Sequence, residues 1–202
     1  MKYPKLRELK EAIIALIKGP YTSAFPKQAH VPHPNFRGRP KFHKDGCVGC
    51  LACENVCPPG AIAHEDKIEG QATRKMVHFS DTCIFCGMCQ SVCITQKGII
   101  LSNEWELSHF DRRDCAESID KDLLLCEACG GVVACRDHLI WLAKELGELT
   151  YSNPTLYMAR LTELGISDSD VQSAVAFSSR SDRMKIVCAR CRRKTTLTTE
   201  KQ

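Results

Sequence analysis

The sequence predicts an α+β fold. Two copies of a loop, short helix and strand are related by a pseudo-two-fold axis, with an amphipathic helix and an extended arm before them. A small helical segment closed by paired cysteine knuckles follows. Three observations carry this expectation. Two four-cysteine runs, CVGCLACENVC at 47–57 and CIFCGMCQSVC at 83–93, repeat with a constant offset of 36 residues. Each run is followed by a short apolar phrase of strand length, GAIA at 60–63 and GIIL at 98–101. Two C-x₂-C pairs, LCEACGG at 125–131 and VCARCRR at 187–193, stand near the two ends of the last part of the chain.

The chain has 202 residues and 14 cysteines. Its opening, MKYPKLRELKEAIIALIKGP, does not read as a secretory signal, because Glu8, Lys10 and Glu11 break the apolar residues. No run approaches the eighteen or so apolar residues of a membrane span. A cysteine-rich chain of a reducing compartment holds metal rather than disulfides. The net charge of +4 is unevenly spread: residues 1–45 carry +7 and residues 46–202 carry −3. The basic arm therefore suits an acidic partner or an anionic membrane surface, and the mildly acidic body is a poor binder of nucleic acid.

In chain order, residues 1–45 comprise the helix and arm. Leu6, Leu9, Ile13, Leu16 and Ile17 fall on one stripe of a helix over 4–18, which Gly19-Pro20 ends. Pro20, Pro26, Pro32, Pro34 and Pro40 then keep the chain extended. His30, His33 and His43 lie on this arm and are expected to contact a partner. Residues 46–103 hold the repeat, with KMVHF at 75–79 as a further strand joining the two apolar phrases. Residues 104–202 form the C-terminal segment, with short helices expected near 136–147, 154–164 and 168–179.

Each run reads C-x₂-C-x₂-C-x₃-C. Two-residue gaps wrap three thiolates around one face of a 4Fe–4S cluster, and the three-residue gap turns the fourth toward a different cluster. The spacing assigns Cys47, Cys50, Cys53 and Cys93 to one cluster and Cys57, Cys83, Cys86 and Cys89 to the second. The fold class is thus a bacterial two-cluster ferredoxin-like core. Pro58 follows Cys57 as the pattern asks, whereas Ile94 stands after Cys93, a departure that touches turn geometry and not ligand count. Val48, Leu51, Ile84, Phe85 and Met88 are expected to limit water at the sulfurs. Zinc favours paired knuckles over such triplets, and that is the expectation for Cys126, Cys129, Cys188 and Cys191: a structural Zn²⁺ in a zinc-ribbon-like segment, with a single iron as the alternative. Cys135 and His138 are substitute ligands, and Cys115 and Cys135 are by default buried thiols.

The opening YPKLRELKEAIIALIKGPYTSAFP, the proline-rich basic arm and the double cysteine run resemble one family. It is the two-cluster ferredoxin-like subunit shared by respiratory complex I, as its subunit I, and by group 4 membrane-bound NiFe hydrogenases of the formate hydrogenlyase type. The resemblance covers residues 1 to about 110, and the C-terminal knuckles favour the hydrogenase branch. It implies an electron-transfer subunit with no catalytic residues of its own, peripheral on the cytoplasmic face of a prokaryotic inner membrane. Electrons arrive from a donor module and leave toward a hydrogenase small subunit, while the N-terminal helix lies at the membrane surface. A free ferredoxin-like carrier and an iron–sulfur nucleic-acid protein are the competing expectations. The 45-residue arm weighs against the first and the acidic body against the second.

Overall fold

A computed structural model of the chain describes residues 5–19, 22–166 and 185–197. The chain divides into two units, Met1–Phe36 and Arg37–Gln202. In the first, helix α1 spans Leu6–Lys18. Glu8 accepts a hydrogen bond from the Lys5 N–H at 3.0 Å and so satisfies a donor at the helix start, and Gly19 ends the helix with φ of 75°. None of its residues is buried; Leu6, Leu16 and Ile17 are each at least 80% exposed. Among the described residues no helix is long and apolar enough to cross a membrane.

The second unit is built on two antiparallel sheets. Strand β1 (Pro40–Phe42) pairs with β4 (Ile99–Leu101), joining the end of the basic arm to the phrase after the second cysteine run. The larger sheet has the order β2-β3-β5-β6, from β2 (Ile62–Lys67), β3 (Thr73–Phe79), β5 (Ala116–Leu125) and β6 (Val132–Cys135). Two short helices, α2 (Ala52–Val56) and α3 (Met88–Ser91), each follow the second cysteine of a run.

No strand is expected from the sequence after residue 104, yet β5 is the longest strand described and extends the sheet that β2 and β3 begin. The reason lies in its inward row. Ile119, Lys121 and Leu123 are buried in alternation, so a lysine occupies a core position and hides the period-two pattern. Strand β3 does the same with Arg74, Met76 and His78. Arg74 lies opposite Lys121, Met76 opposite Ile119 and His78 opposite Glu117. Fully enclosed Met76 packs with Ile62, Ile99, Ile119 and two cysteines, Cys53 and Cys89, in one core.

A smaller core closes the C-terminal segment. Helices α4 (Arg136–Leu146) and α5 (Pro154–Glu163) lie close to the expected spans 136–147 and 154–164. They bury Leu139, Leu156 and Ala159 against Leu124, Val133, Ala134 and Leu142. Asn153 caps α5 by accepting the Thr155 N–H at 3.1 Å, with Pro154 in its first turn. Helix α6 spans Ala189–Leu197, and the helix expected at 168–179 lies outside the described residues.

Because Met76 is fully enclosed at the centre of the main core, Met76→Ala is expected to cost about 2–5 kcal/mol. Anaerobic guanidinium unfolding of the full chain reads this as a lower midpoint. An unchanged midpoint would show that the core does not rest on this side chain.

Candidate functional site

The two cysteine runs fold alike in a way their spacing does not reveal. Gly49 and Leu51 flank Cys50 with φ of 69° and 66°, and Phe85 and Gly87 flank Cys86 with φ of 53° and 79°. These are the same two positions under the offset of 36. Each pair turns successive backbone N–H groups toward a concavity suited to anions and to cluster sulfur. Leu51 and Phe85 hold a left-handed conformation without being glycine, a strain of about 1–3 kcal/mol each. The Phe85 N–H donates to Cys83 Sγ at 3.4 Å, and in the first loop the Gly49 N–H donates to the Cys47 sulfur. Leu51 and Gly87 then serve as N-caps of α2 and α3.

Each short helix carries its fourth cysteine away from its own loop. The result is two small cavities of about equal size. Cys47, Cys50, Cys53 and Cys93 line the first, together with Phe42, Val48, Leu51, Met76 and Ile99. Cys57, Cys83, Cys86 and Cys89 line the second, with Ile62, His78, Ile84, Phe85 and Met88. Four sulfurs in an apolar cradle with inward N–H groups are a donor set that fits a 4Fe–4S cluster. Cys57 Sγ accepts the Ala61 N–H at 3.2 Å, and Cys93 Sγ contacts Thr95 Oγ1 at 3.4 Å.

Burial pushes the Cys53 thiol up to about 12 and the Cys89 thiol up to about 11, and raises those of Cys47 and Cys83. At Cys93 burial also raises the pKa, but the Thr95 hydroxyl and the N–H groups of Gly98, Ile99 and Thr95 outweigh it, and the thiol titrates below its ordinary range. Cys53, on the first cavity, is also raised by the charge of Cys89 on the second.

One face of the larger sheet underlies both cavities, and its charged residues are invisible to motif reading. Arg74 makes a bidentate pair with Asp66, both contacts at 2.7 Å, and donates through Nη1 to the Gly49 carbonyl at 3.1 Å. Lys121 donates to the Lys44 carbonyl and to Asp137 Oδ2 at 2.9 Å. Cys135 is fully buried with Sγ 3.5 Å from the Gly49 carbonyl. It therefore supports the first loop and stands apart from the knuckles for which it is a reserve ligand. Burial lowers the pKa of His78 to about 4, with Arg39 adding to the effect, so the ring is neutral at pH 7.

The second cluster of thiols comes from far apart in the chain. Cys126, Cys129, Cys188 and Cys191 place all their sulfurs within 4.8 Å of one another. Main-chain bonds lock the two knuckles together: the Glu127 N–H donates to the Ile186 carbonyl at 2.9 Å, and the Ile186 N–H to the Glu127 carboxylate at 2.9 Å. The Cys188 N–H donates to Cys126 Sγ at 3.3 Å, which with further N–H donors draws that thiol down to about 6. The Cys191 N–H likewise lowers Cys188, while Cys191, facing the Cys129 and Cys188 sulfurs, is pushed up to about 12. Cys129 Sγ and Cys188 Sγ are 3.8 Å apart. Two ligands of a tetrahedral ion with metal–sulfur bonds of about 2.3 Å lie about 3.8 Å apart. His138 is not among the four, and Cys115 is half-buried, its carbonyl accepting from both the N–H and the hydroxyl of Ser80.

A family model described as a 4Fe–4S dicluster domain matches residues 46–97. NADH-quinone oxidoreductase subunit I 2 of Geobacter metallireducens is 31% identical over 121 residues, covering 56% of this chain and 92% of that protein. Formate hydrogenlyase subunit 6 of Escherichia coli is 34% identical over 139 residues, covering 67% of this chain and 76% of its own. A chain in a solved structure of a membrane-bound sulfane sulfur reductase, an archaeal respiratory membrane complex, aligns with TM-score 0.41 and 25% identity over 57% of this chain and 61% of that one.

The tight first loop yields a prediction. A Cβ on Gly49 would sit 2.5 Å from Cys135 Sγ at a left-handed φ, whereas one on Gly60, also left-handed, meets nothing within 4 Å. Gly49→Ala is expected to lose about half of the bound iron, the share of one of two clusters. Gly60→Ala is expected to retain it. Equal iron content in the two variants would contradict the close packing of this loop.

Proposed function

This chain belongs to the family of two-cluster ferredoxin-like subunits that includes NADH-quinone oxidoreductase subunit I and formate hydrogenlyase subunit 6, and from that premise we propose that it relays single electrons within a membrane-associated oxidoreductase complex. The observation that carries the reading is the exchange of fourth cysteines. Each cavity gathers three thiols from one run and the fourth from the other. In this reading Cys47, Cys50, Cys53 and Cys93 ligate one 4Fe–4S cluster and Cys57, Cys83, Cys86 and Cys89 the other. Bound there, the clusters supply reversible one-electron redox chemistry. The chain's own residues set the rest: the apolar linings exclude water, and the N–H donors to Cys47, Cys57, Cys83 and Cys93 stabilise thiolate charge. The contact of Cys53 and Cys89 with one core places the two cavities side by side, as a relay needs.

The partners follow from the family and from exposed features. The longer match to formate hydrogenlyase subunit 6, 139 residues against 121, supports a hydrogenase-type parent complex, with an electron-donor module on one side and a hydrogenase small subunit on the other. The unburied apolar stripe of α1, with Lys5, Arg7, Lys10 and Lys18, supports contact with an anionic membrane surface on the cytoplasmic side. At the four-thiol site we place a structural Zn²⁺ on Cys126, Cys129, Cys188 and Cys191, supported by the mutual approach of their sulfurs and by the two lowered thiols. Its role is to tie the chain after residue 185 to the β5–β6 turn.

Anaerobically purified full-length chain is expected to hold about eight irons and about one zinc. Cys50→Ser and Cys86→Ser are each expected to perturb a different one of two paramagnetic resonance signals, and each to slow turnover of the whole complex at least tenfold. Loss of the same signal in both variants, or unchanged turnover, would overturn the two-cluster route. Zinc near zero with iron still near eight would remove only the ion at the knuckles.

A further inference from the structure

The sheet face beneath the two cavities is electrically uneven. Asp66, Arg74 and Lys121 are successive partners across three strands, and Asp137 of α4 meets Lys121 from the far side. Two cations thus stand directly opposite each other on a buried face, an arrangement that antiparallel sheets ordinarily avoid because the charges repel. Arg74 and Lys121 are 9% and 7% exposed, whereas their partners Asp66 and Asp137 are 20% and 49% exposed. Water screens the carboxylates more than the cations, so each pair turns its positive end inward. Both meet the first loop. Arg74 bonds the Gly49 carbonyl; Lys121 bonds the carbonyl of Lys44, three residues before Cys47, and its Cβ lies 3.6 Å from where a Gly49 Cβ would be.

The equivalent row beneath the second cavity is Ile62, His78 and Glu117. His78 is buried and neutral, and neither ring nitrogen has a hydrogen-bond partner. Arg39, which acts on His78, is itself met by two carboxylates, Glu104 at 3.0 Å and Glu117 at 3.9 Å. The charges acting on the Cys83 thiol are those of Cys57 and Cys86, while Cys47 also feels Lys121.

We propose that Arg74 and Lys121 set the reduction potential of the relay: their buried charge raises the potential of the cluster on Cys47, Cys50, Cys53 and Cys93 above that of its neighbour, so that a single electron shared by the two rests there. This inference rests on the ligand assignment above. A cluster with four thiolates is net negative and gains one further negative charge on reduction, which adjacent buried cations stabilise. The step is a one-electron exchange with a low-potential one-electron donor; no bond is made or broken. It also gives the opposed cations a reason, since negative charge above the loop relieves their repulsion. Arg74 comes from β3 and Lys121 from β5, so the C-terminal extension of the sheet supplies one of the two cations.

The experiment is a redox titration of the full chain, reconstituted with iron and sulfide and followed by paramagnetic resonance. Cys50→Ser first identifies which signal belongs to the first cluster; if it alters neither signal, or both equally, the ligand assignment fails before the tuning is tested. Lys121→Met is expected to shift the first cluster's equilibrium about tenfold toward the oxidised form, about 59 mV for one electron, and to leave the second in place. Lys121→Arg should restore the original value. Asp137→Asn, at a half-exposed position, should shift the same cluster the opposite way. Opposite signs from the two halves of one ion pair distinguish a field effect from loosened packing, which would move both variants in one direction. Shifts of the same sign, a shift in the other cluster, or none in any variant would overturn the proposal.

Discussion

Gathering eight thiol groups into two apolar cavities, where the proposed clusters would need them as thiolates, is the constraint on which the rest of this structure depends. Burial, with the charge of neighbouring cysteines, drives Cys53 up to about 12 and Cys89 up to about 11. Such groups give up their protons only to metal, so cluster binding and the final folded state are coupled. The backbone is shaped to the same end. Left-handed residues at 49, 51, 85 and 87 aim N–H groups inward, and helices of five and four residues are long enough only to hand the fourth cysteine across. Strain at Leu51 persists because it packs against the core around Met76, Ile99 and Ile119.

The C-terminal segment is tied to this core and does not merely follow it. Strand β5 lies against β3 along seven residue pairs, and the β6–α4 corner brings Cys135 and Asp137 to the first loop. The far side of β5 and β6 receives α4 and α5, and the turn between these strands carries the first knuckle. One stretch of chain therefore both flanks the first cavity and anchors the four-thiol site. Val48, which lines the first cavity, is buried, while Ile84 and Met88, which line the second, are 60% and 43% exposed.

What was legible in the sequence was what covalent spacing dictates. Gaps of two and three residues leave a thiolate loop few conformations, and the two cavities are lined by the same two sets of four cysteines that the spacing groups; α1 and α4 were readable from their apolar registers. What was not legible depends on partners distant in the chain. Strand β5 carries Glu117 and Lys121 in its inward row, and those charges make sense only once Arg39 and Asp137 are in place. The β1–β4 pair joins residues about sixty apart through a strand that reads as proline-rich arm. Cys135, considered as a spare ligand, supports the first loop, because the β6–α4 corner aims it there. An inward basic residue in an otherwise alternating strand is the available signal for Arg74 and Lys121.

The two cavities share one core, in which Cys53 lies close enough to feel the charge of Cys89. The measurement that bears most directly on a two-cluster relay is therefore the integrated paramagnetic resonance spectrum of the fully reduced, full-length chain. The account predicts about two spins per chain, one for each 4Fe–4S cluster, with lines broadened and split by their mutual interaction. A single spin per chain, or two sharp signals that ignore each other, would contradict it.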